Sequence, residues 1–169
     1  MRVKTLILVR HAKSSWKDPE LADFDRPLNA RGKRDAPLMG RRLAARGERP
    51  DLMLSSPARR AVATMKKIAA AAGFDEREIV TDDRLYEADA HDLLEVVRGI
   101  DDKRAKVLLC GHNPGLTDLC NLICNCSIDN IPTCGILSLG FHCDSWKDVE
   151  LRSGKVLYFD YPKKTGESC

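Results

Sequence analysis

Leu6-Ile7-Leu8-Val9-Arg10-His11 is the stretch from which the fold of this chain is read. Four consecutive apolar residues make a strand buried on both faces, and the strand stops on a cation and an imidazole. In an open α/β sheet the carboxyl ends of the strands border the ligand crevice, so a histidine delivered there faces a nucleophile or anion position. A second stretch repeats the design: Lys106-Val107-Leu108-Leu109-Cys110 runs into Gly111-His112-Asn113-Pro114-Gly115. Asn113 is a natural N-cap and Pro114 a natural first helical residue. The helix through Leu116, Leu119 and Ile123 is therefore expected to aim its N-terminal N–H groups at the same rim. A third strand, Asp51-Leu52-Met53-Leu54, leads into Ser55-Ser56-Pro57-Ala58-Arg59-Arg60, with Ser56 as cap and two arginines opening the helix. Cations in the first turns oppose the helix dipole, a local cost that a bound anion offsets. Two His-bearing strand ends and one Arg-bearing helix start point to a single anion pocket.

Outward from these stretches, short apolar strands alternate with helical patterns. That alternation predicts an α/β chain: a three-layer α/β/α sandwich around a mainly parallel central sheet, in a single domain over 1–169. The first strand is expected over 4–9. A polar loop over 12–28 follows, and its Trp16 and Phe24 suggest a folded flap beside the site. One helix starts near Asn29, with Leu38, Met39, Leu43 and Ala44 on its apolar stripe, and stops at Gly47. Another covers 57–72, turning Ala61, Met65, Ile68 and Ala69 inward before Gly73. A short strand over 78–81 precedes a loop at 85–88 and a helix carrying Leu93, Leu94 and Val97. Segments 135–141 and 155–159 read as a closing antiparallel pair.

Composition excludes several classes. The 28 Lys and Arg against 25 Asp and Glu leave a net charge of +3, and the arginines cluster at motifs instead of forming a stripe, which argues against a nucleic-acid partner. The N-terminal apolar run is far short of a signal-peptide core or a membrane span, so the expectation is a cytoplasmic protein with no membrane partner. Seven cysteines suggest a metal or disulfide framework until their spacing is examined. Cys120, Cys124 and Cys126 lie on or just after one helix, Cys134 follows a proline turn, Cys110 and Cys143 sit in or near strands, and Cys169 is terminal. No pair of C-x-x-C knuckles exists and the count is odd, which reads as reduced thiols. A zinc site from His11, His112 and Cys110 is the remaining alternative, with no further ligands evident.

Taken in order, Arg10-His11, Ser56-x-x-x-Arg60-Ala61-x-x-Thr64, Leu85-x-Glu87 and Gly111-His112 resemble the histidine phosphatase superfamily, whose fold is phosphoglycerate mutase-like. Arg10-His11-Ala12-Lys13-Ser14-Ser15-Trp16, Arg26-Pro27-Leu28 and Gly111-His112-Asn113-Pro114-Gly115 look more narrowly like the SixA-like phosphohistidine phosphatases. The resemblance spans residues 4 to about 141. It implies that His11 is the nucleophile and carries a transient phosphohistidine, a role open to a neutral imidazole nitrogen. It makes Arg10, Arg60 and His112 the phosphate pocket, where guanidinium forks match phosphate oxygens. Glu87 is then the general acid, and Arg26 a further phosphate or substrate contact from the flap. The Arg-Ala-x-x-Thr register selects Arg60 over Arg59. No metal and no cofactor is implied.

Departures from the pattern narrow the substrate. Ala12, Lys13 and Ser14 stand where the superfamily often has Gly, Glu and Thr, which argues against phosphoglycerates. Fewer than thirty residues separate Arg60 from Glu87, and Glu87 from His112, leaving no room for a large cap. The implied activity is a metal-independent phosphatase acting on phosphohistidine in a protein; a phosphomonoesterase acting on small phosphorylated metabolites is the alternative. The partner is accordingly a phosphorylated protein or a small phosphorylated substrate, and the motifs carry no information on oligomeric state.

Overall fold

The structure, a computed structural model, describes residues 2–164. Six strands, β1 (Val3–Arg10), β2 (Leu52–Ser55), β3 (Ile79–Thr81), β4 (Lys106–Gly111), β5 (Ile136–His142) and β6 (Lys155–Asp160), form one sheet in the order β3-β2-β4-β1-β5-β6. β3, β2, β4 and β1 are parallel; β5 runs antiparallel to β1, and β6 to β5. The sheet is therefore mixed, parallel across four strands and closed on one side by the expected antiparallel pair.

Alternation along the central strands builds the two outer layers. Leu6 and Leu8 of β1 and Val107 and Leu109 of β4 pack with α3 (Ala90–Arg98) and α4 (Gly115–Ile123). Ile7 and Val9, with Leu108 and Cys110, face α1 (Ala30–Ala45) and α2 (Arg59–Ala72). Leu6 to Val9 are fully buried, as a strand covered on both faces requires. Asn29 caps α1 by accepting the Gly32 N–H at 2.9 Å, as its side-chain chemistry favours.

Three local expectations need correction. The buried stripe of α1 is Gly32, Ala36, Met39, Gly40 and Leu43, whereas Leu38 is only half-buried and Ala44 is exposed. A Cβ at Gly40 would lie 2.6 Å from the Ile68 carbonyl oxygen, so α1 and α2 approach through small residues that a search for large apolar side chains overlooks. α2 begins at Arg59, not at residue 57, and Ala58 is its N-cap. Ser56 is not the cap; its hydroxyl accepts the Ala58 N–H at 3.2 Å in the preceding turn. α4 likewise starts one residue late, at Gly115, although Asn113 Oδ1 still takes the Thr117 N–H at 3.2 Å.

The 12–28 segment is a folded flap. Ser14 bridges to Leu28, and Asp23–Asp25 forms a 3₁₀ turn. The described cysteines, Cys110, Cys120, Cys124, Cys126, Cys134 and Cys143, are free; Cys169 lies outside the described residues. Among the described residues no helix is long and apolar enough to cross a membrane.

Candidate active site

Parallel register brings the two histidines together. Arg10 of β1 pairs with Gly111 of β4, and Ser55 of β2 with Cys110, so His11, His112 and Ser56 leave three adjacent strand ends on one rim. The His11 N–H donates to the Gly111 carbonyl at 3.1 Å and the Ser56 N–H to the Cys110 carbonyl at 3.0 Å, which extends the ladder past the strands. Thr64 ties this rim to α2: its hydroxyl accepts the Ala12 N–H at 2.9 Å and donates to the Arg60 carbonyl at 2.7 Å. The Arg60-to-Thr64 spacing is one helical turn, and it fixes where Arg60 stands relative to His11.

Hydrogen-bond chemistry assigns both tautomers. His11 Nδ1 lies 2.8 Å from the Ala12 carbonyl oxygen, which can only accept, so Nδ1 carries the proton and Nε2 a lone pair. That lone pair faces Arg60 Nε at 3.4 Å. His112 Nδ1 faces Arg60 Nη2 at 3.4 Å, and a guanidinium only donates, so the proton sits on Nε2, 2.7 Å from Ser56 Oγ. The rings lie 5.0 Å apart. Burial dominates and holds His11 at about 3, outweighing the raising effect of its Ala12 hydrogen bond, while the neighbouring His112, Arg60 and Arg10 lower it further. Burial and the Arg60 charge hold His112 at about 4. Both rings are neutral at pH 7.

Two arginines supply the charge. Arg60 is 7% exposed and Arg10 half-buried. Arg10 Nη1 donates to the Ile131 carbonyl at 2.8 Å, while its buried Nε has no partner. An orphaned buried donor costs about 1–3 kcal/mol, which suits a position that binds an incoming acceptor. Arg60 is engaged from within the chain: Nη1 donates to the Asp23 carbonyl at 2.7 Å and Nη2 to Asp23 Oδ2 at 3.0 Å. Tyr86 donates its hydroxyl to the same Oδ2 at 2.7 Å and packs edge-on against His112, with centroids 5.6 Å apart. Burial raises the Asp23 carboxyl, but the hydrogen bonds from Tyr86 and Arg60, the Arg60 charge and the Arg26 bond outweigh it and hold the group at about 2.

His11, His112, Arg10 and Arg60 thus converge as their motifs imply. Glu87 follows Tyr86 on the loop before α3, exposed and with a left-handed φ of 56°, a strained conformation for a residue with a Cβ. The Glu87 and His112 loops meet at Gly115, where a Cβ would collide with the Ala88 carbonyl oxygen. Arg26 directs its donors to Asp23 Oδ1 at 2.9 Å, to the Ser15 carbonyl at 3.2 Å and to the Ser14 hydroxyl, and stacks 3.3 Å over Trp16. It is joined to Arg60 through Asp23. Arg59 is exposed, with one 3.4 Å bond to the Asp25 carbonyl. The Cys110 thiol donates to the Ala61 carbonyl at 3.6 Å, and no set of three metal-ligating side chains occurs among the described residues. Asp23 and Tyr86 escaped sequence reading; neither lies on a periodic pattern, and Asp23 meets the site only through the folded flap, while Tyr86 meets it against His112.

Comparison with known proteins agrees with this geometry. The profile of the histidine phosphatase superfamily (branch 1) matches residues 6–113. An uncharacterized chloroplastic protein of Arabidopsis thaliana is 33% identical over 159 residues, covering 89% of this chain and 72% of that protein. A 2,3-bisphosphoglycerate-dependent phosphoglycerate mutase of Chelativorans sp. is 36% identical over 104 residues, but that covers 60% of this chain and 50% of the mutase. A solved structure from Agrobacterium tumefaciens, assigned as the phosphohistidine phosphatase SixA, is 30% identical with a TM-score of 0.77, covering 94% of this chain and 98% of that one. Because the matched span runs from β1 through β4 and so includes both histidine-bearing strand ends, and because the Agrobacterium structure is matched along nearly its whole length, the chain belongs to the histidine phosphatase superfamily (branch 1) and is SixA-like.

Proposed function

We propose that this phosphatase works through a transient phosphohistidine on His11 and that its substrate is phosphohistidine in a protein. The observation that carries the mechanism is the Nδ1–H···O=C bond to Ala12, which puts the lone pair on Nε2, facing Arg60 Nε at 3.4 Å. Nε2 attacks phosphorus in line, forming a nitrogen–phosphorus bond as the bond to the leaving group breaks. Arg10, Arg60 and His112 hold the equatorial oxygens, where charge accumulates in the transition state. Glu87 protonates the leaving group, then takes a proton from the water that hydrolyses the phosphoenzyme.

Two observations favour a protein substrate. Likeness to the SixA structure from Agrobacterium covers nearly the whole of both chains, whereas the mutase match stops at half of the mutase. Beside the flap lies a cavity of about 750 Å³ whose lining includes Lys17, Arg31, Lys33, Arg34 and Arg59 and no acidic residue. Such a surface complements an acidic protein face. Glu87 favours the second reading, a phosphomonoesterase on small metabolites, because an alkoxide leaving group needs a proton donor more than imidazole does.

Rapid quench with labelled phosphohistidine protein, beside a panel of sugar and nucleotide phosphates, tests both halves. The expected result is an acid-labile, alkali-stable phosphoryl group on His11, with turnover unchanged by chelator and highest kcat/KM for the phosphoprotein. Label on a cysteine, or full turnover by His11→Ala, overturns the mechanism. A sugar or nucleotide phosphate outpacing the phosphoprotein overturns the substrate assignment.

A further inference from the structure

Asp23 competes for donors that a phosphoryl group needs. Arg60 has three nitrogens, and all are engaged from within the chain: Nε faces His11, Nη1 meets the Asp23 carbonyl, and Nη2 meets both the Asp23 carboxylate and His112. A bidentate phosphoryl group at Arg60 must displace the carboxylate or share the fork with it. The carboxylate is ionised throughout the neutral range, since its pKa is about 2.

Asp23 has anchors besides Arg60. Its Oδ1 receives Arg26 Nη1 at 2.9 Å and its Oδ2 the Tyr86 hydroxyl at 2.7 Å. Arg26 is itself fixed by Ser14, Ser15 and Trp16. The geometry points to Asp23 as a specificity-determining residue, a fixed anion beside the phosphoryl position that disfavours substrates carrying a second anionic group next to the phosphate. Every phosphoryl group meets Asp23 at Arg60, but a leaving group that is neutral, or cationic when its ring is protonated, as the imidazole of phosphohistidine is, adds no second repulsion. The inference rests on the reading that Arg60 binds the phosphoryl group. It adds a reason, independent of cavity shape, for the chain to reject small carboxylated phosphates.

Asp23→Asn tests it, because the amide oxygen can still accept from Arg26 or Tyr86 while the charge is gone. The Asp23 side chain is 50% exposed, so solvent screens part of the repulsion and the expected effects are about tenfold. Inorganic phosphate should inhibit the variant about tenfold more tightly, and the ratio of kcat/KM for 3-phosphoglycerate to that for phosphoimidazole should rise about tenfold. Asp23→Ser, a second neutral variant, should move both readouts in the same direction. Tyr86→Phe loosens the flap and keeps the charge; if it tightens phosphate as much as Asp23→Asn does, the effect is mobility and the inference is overturned. Unchanged inhibition and an unchanged ratio in both neutral variants also overturn it. Trapping of the phosphoryl group on His11 separates the two failures: label on His11 with unmoved selectivity sinks Asp23 alone, and no label on His11 in the unaltered chain sinks the reading of the site.

Discussion

Replacing Arg60 by lysine keeps the charge and removes the fork, which makes it the sharpest test of how the pocket is built. The guanidinium addresses three directions from one plane: His11 at 3.4 Å through Nε, and through the two terminal nitrogens Asp23 at 2.7 and 3.0 Å and His112 at 3.4 Å. A bound phosphoryl group would take the same donors. A lysine ammonium is one nitrogen and can fill only one of those directions. Losing two charged-group hydrogen bonds at about 1.5–3 kcal/mol each amounts to roughly 3–6 kcal/mol, or about 10²- to 10⁴-fold in kcat/KM. Arg60→Lys should therefore fall within about tenfold of Arg60→Ala, while Arg59→Ala stays within about threefold of the unaltered chain. Steady-state kinetics on an aryl phosphate, with a thermal melt to confirm folding, gives the comparison. A lysine variant retaining more than about a tenth of the activity would refute the bidentate argument, and a crippled Arg59→Ala would place the register one residue away.

Binding of tungstate, a dianion near neutral pH, should take up protons. His112 is neutral in the free site with its pKa at about 4, and an adjacent dianion favours the imidazolium, so Nδ1 changes from acceptor to donor and affinity rises as pH falls. Calorimetry in buffers of different ionisation enthalpy measures the uptake; none at all, or uptake that survives His112→Gln, contradicts the assignment. Glu87→Gln should slow alkyl phosphate hydrolysis by ~10²- to 10⁴-fold and aryl phosphate hydrolysis far less. An equal loss on both would mean that Glu87 shapes its loop and donates no proton. Lys33→Glu with Arg34→Glu should raise KM for an acidic phosphoprotein about tenfold, flatten its salt dependence and leave aryl phosphate turnover unchanged, because both residues are exposed on the basic cavity. A matching loss on both substrates would remove the cavity from substrate recognition.

What could be read from the sequence was what local chemistry dictates. The run Leu6 to Val9 has to be a buried strand, and a histidine just beyond it has to stand at the sheet's carboxyl edge. Helix starts shifted where side chains had tertiary duties: Ser56 serves His112, so Ala58 falls to the N-cap of α2. The α1 stripe shifted because Gly32, Ala36 and Gly40 contribute by being small, and hydrophobicity does not register that. Asp23 could not be read at all. Its partners Arg60 and Tyr86 lie 37 and 63 residues away, and nothing in the flap's composition distinguishes it from Asp18 or Asp25.

The electrostatics of the site follow from how its charges are paired. Two guanidiniums converge at a half-buried rim, where solvent compensates their charge poorly. The chain answers differently for each. Arg60 receives Asp23 from the flap, whereas Arg10 receives only a carbonyl from Ile131 and keeps Nε orphaned. The histidines avoid adding charge by staying neutral, each by donating its one proton away from the pocket, to Ala12 or to Ser56. The lone pairs of both histidines face Arg60, and among the arginine donors the buried Arg10 Nε has no partner. On the proposed reading, a phosphoryl group gives Arg10 an acceptor, displaces Asp23 from Arg60 or shares the fork with it, and draws a proton from solvent onto His112. On that reading, the fork of Arg60 and the proton on His112 are what must adjust before His11 Nε2 meets phosphorus.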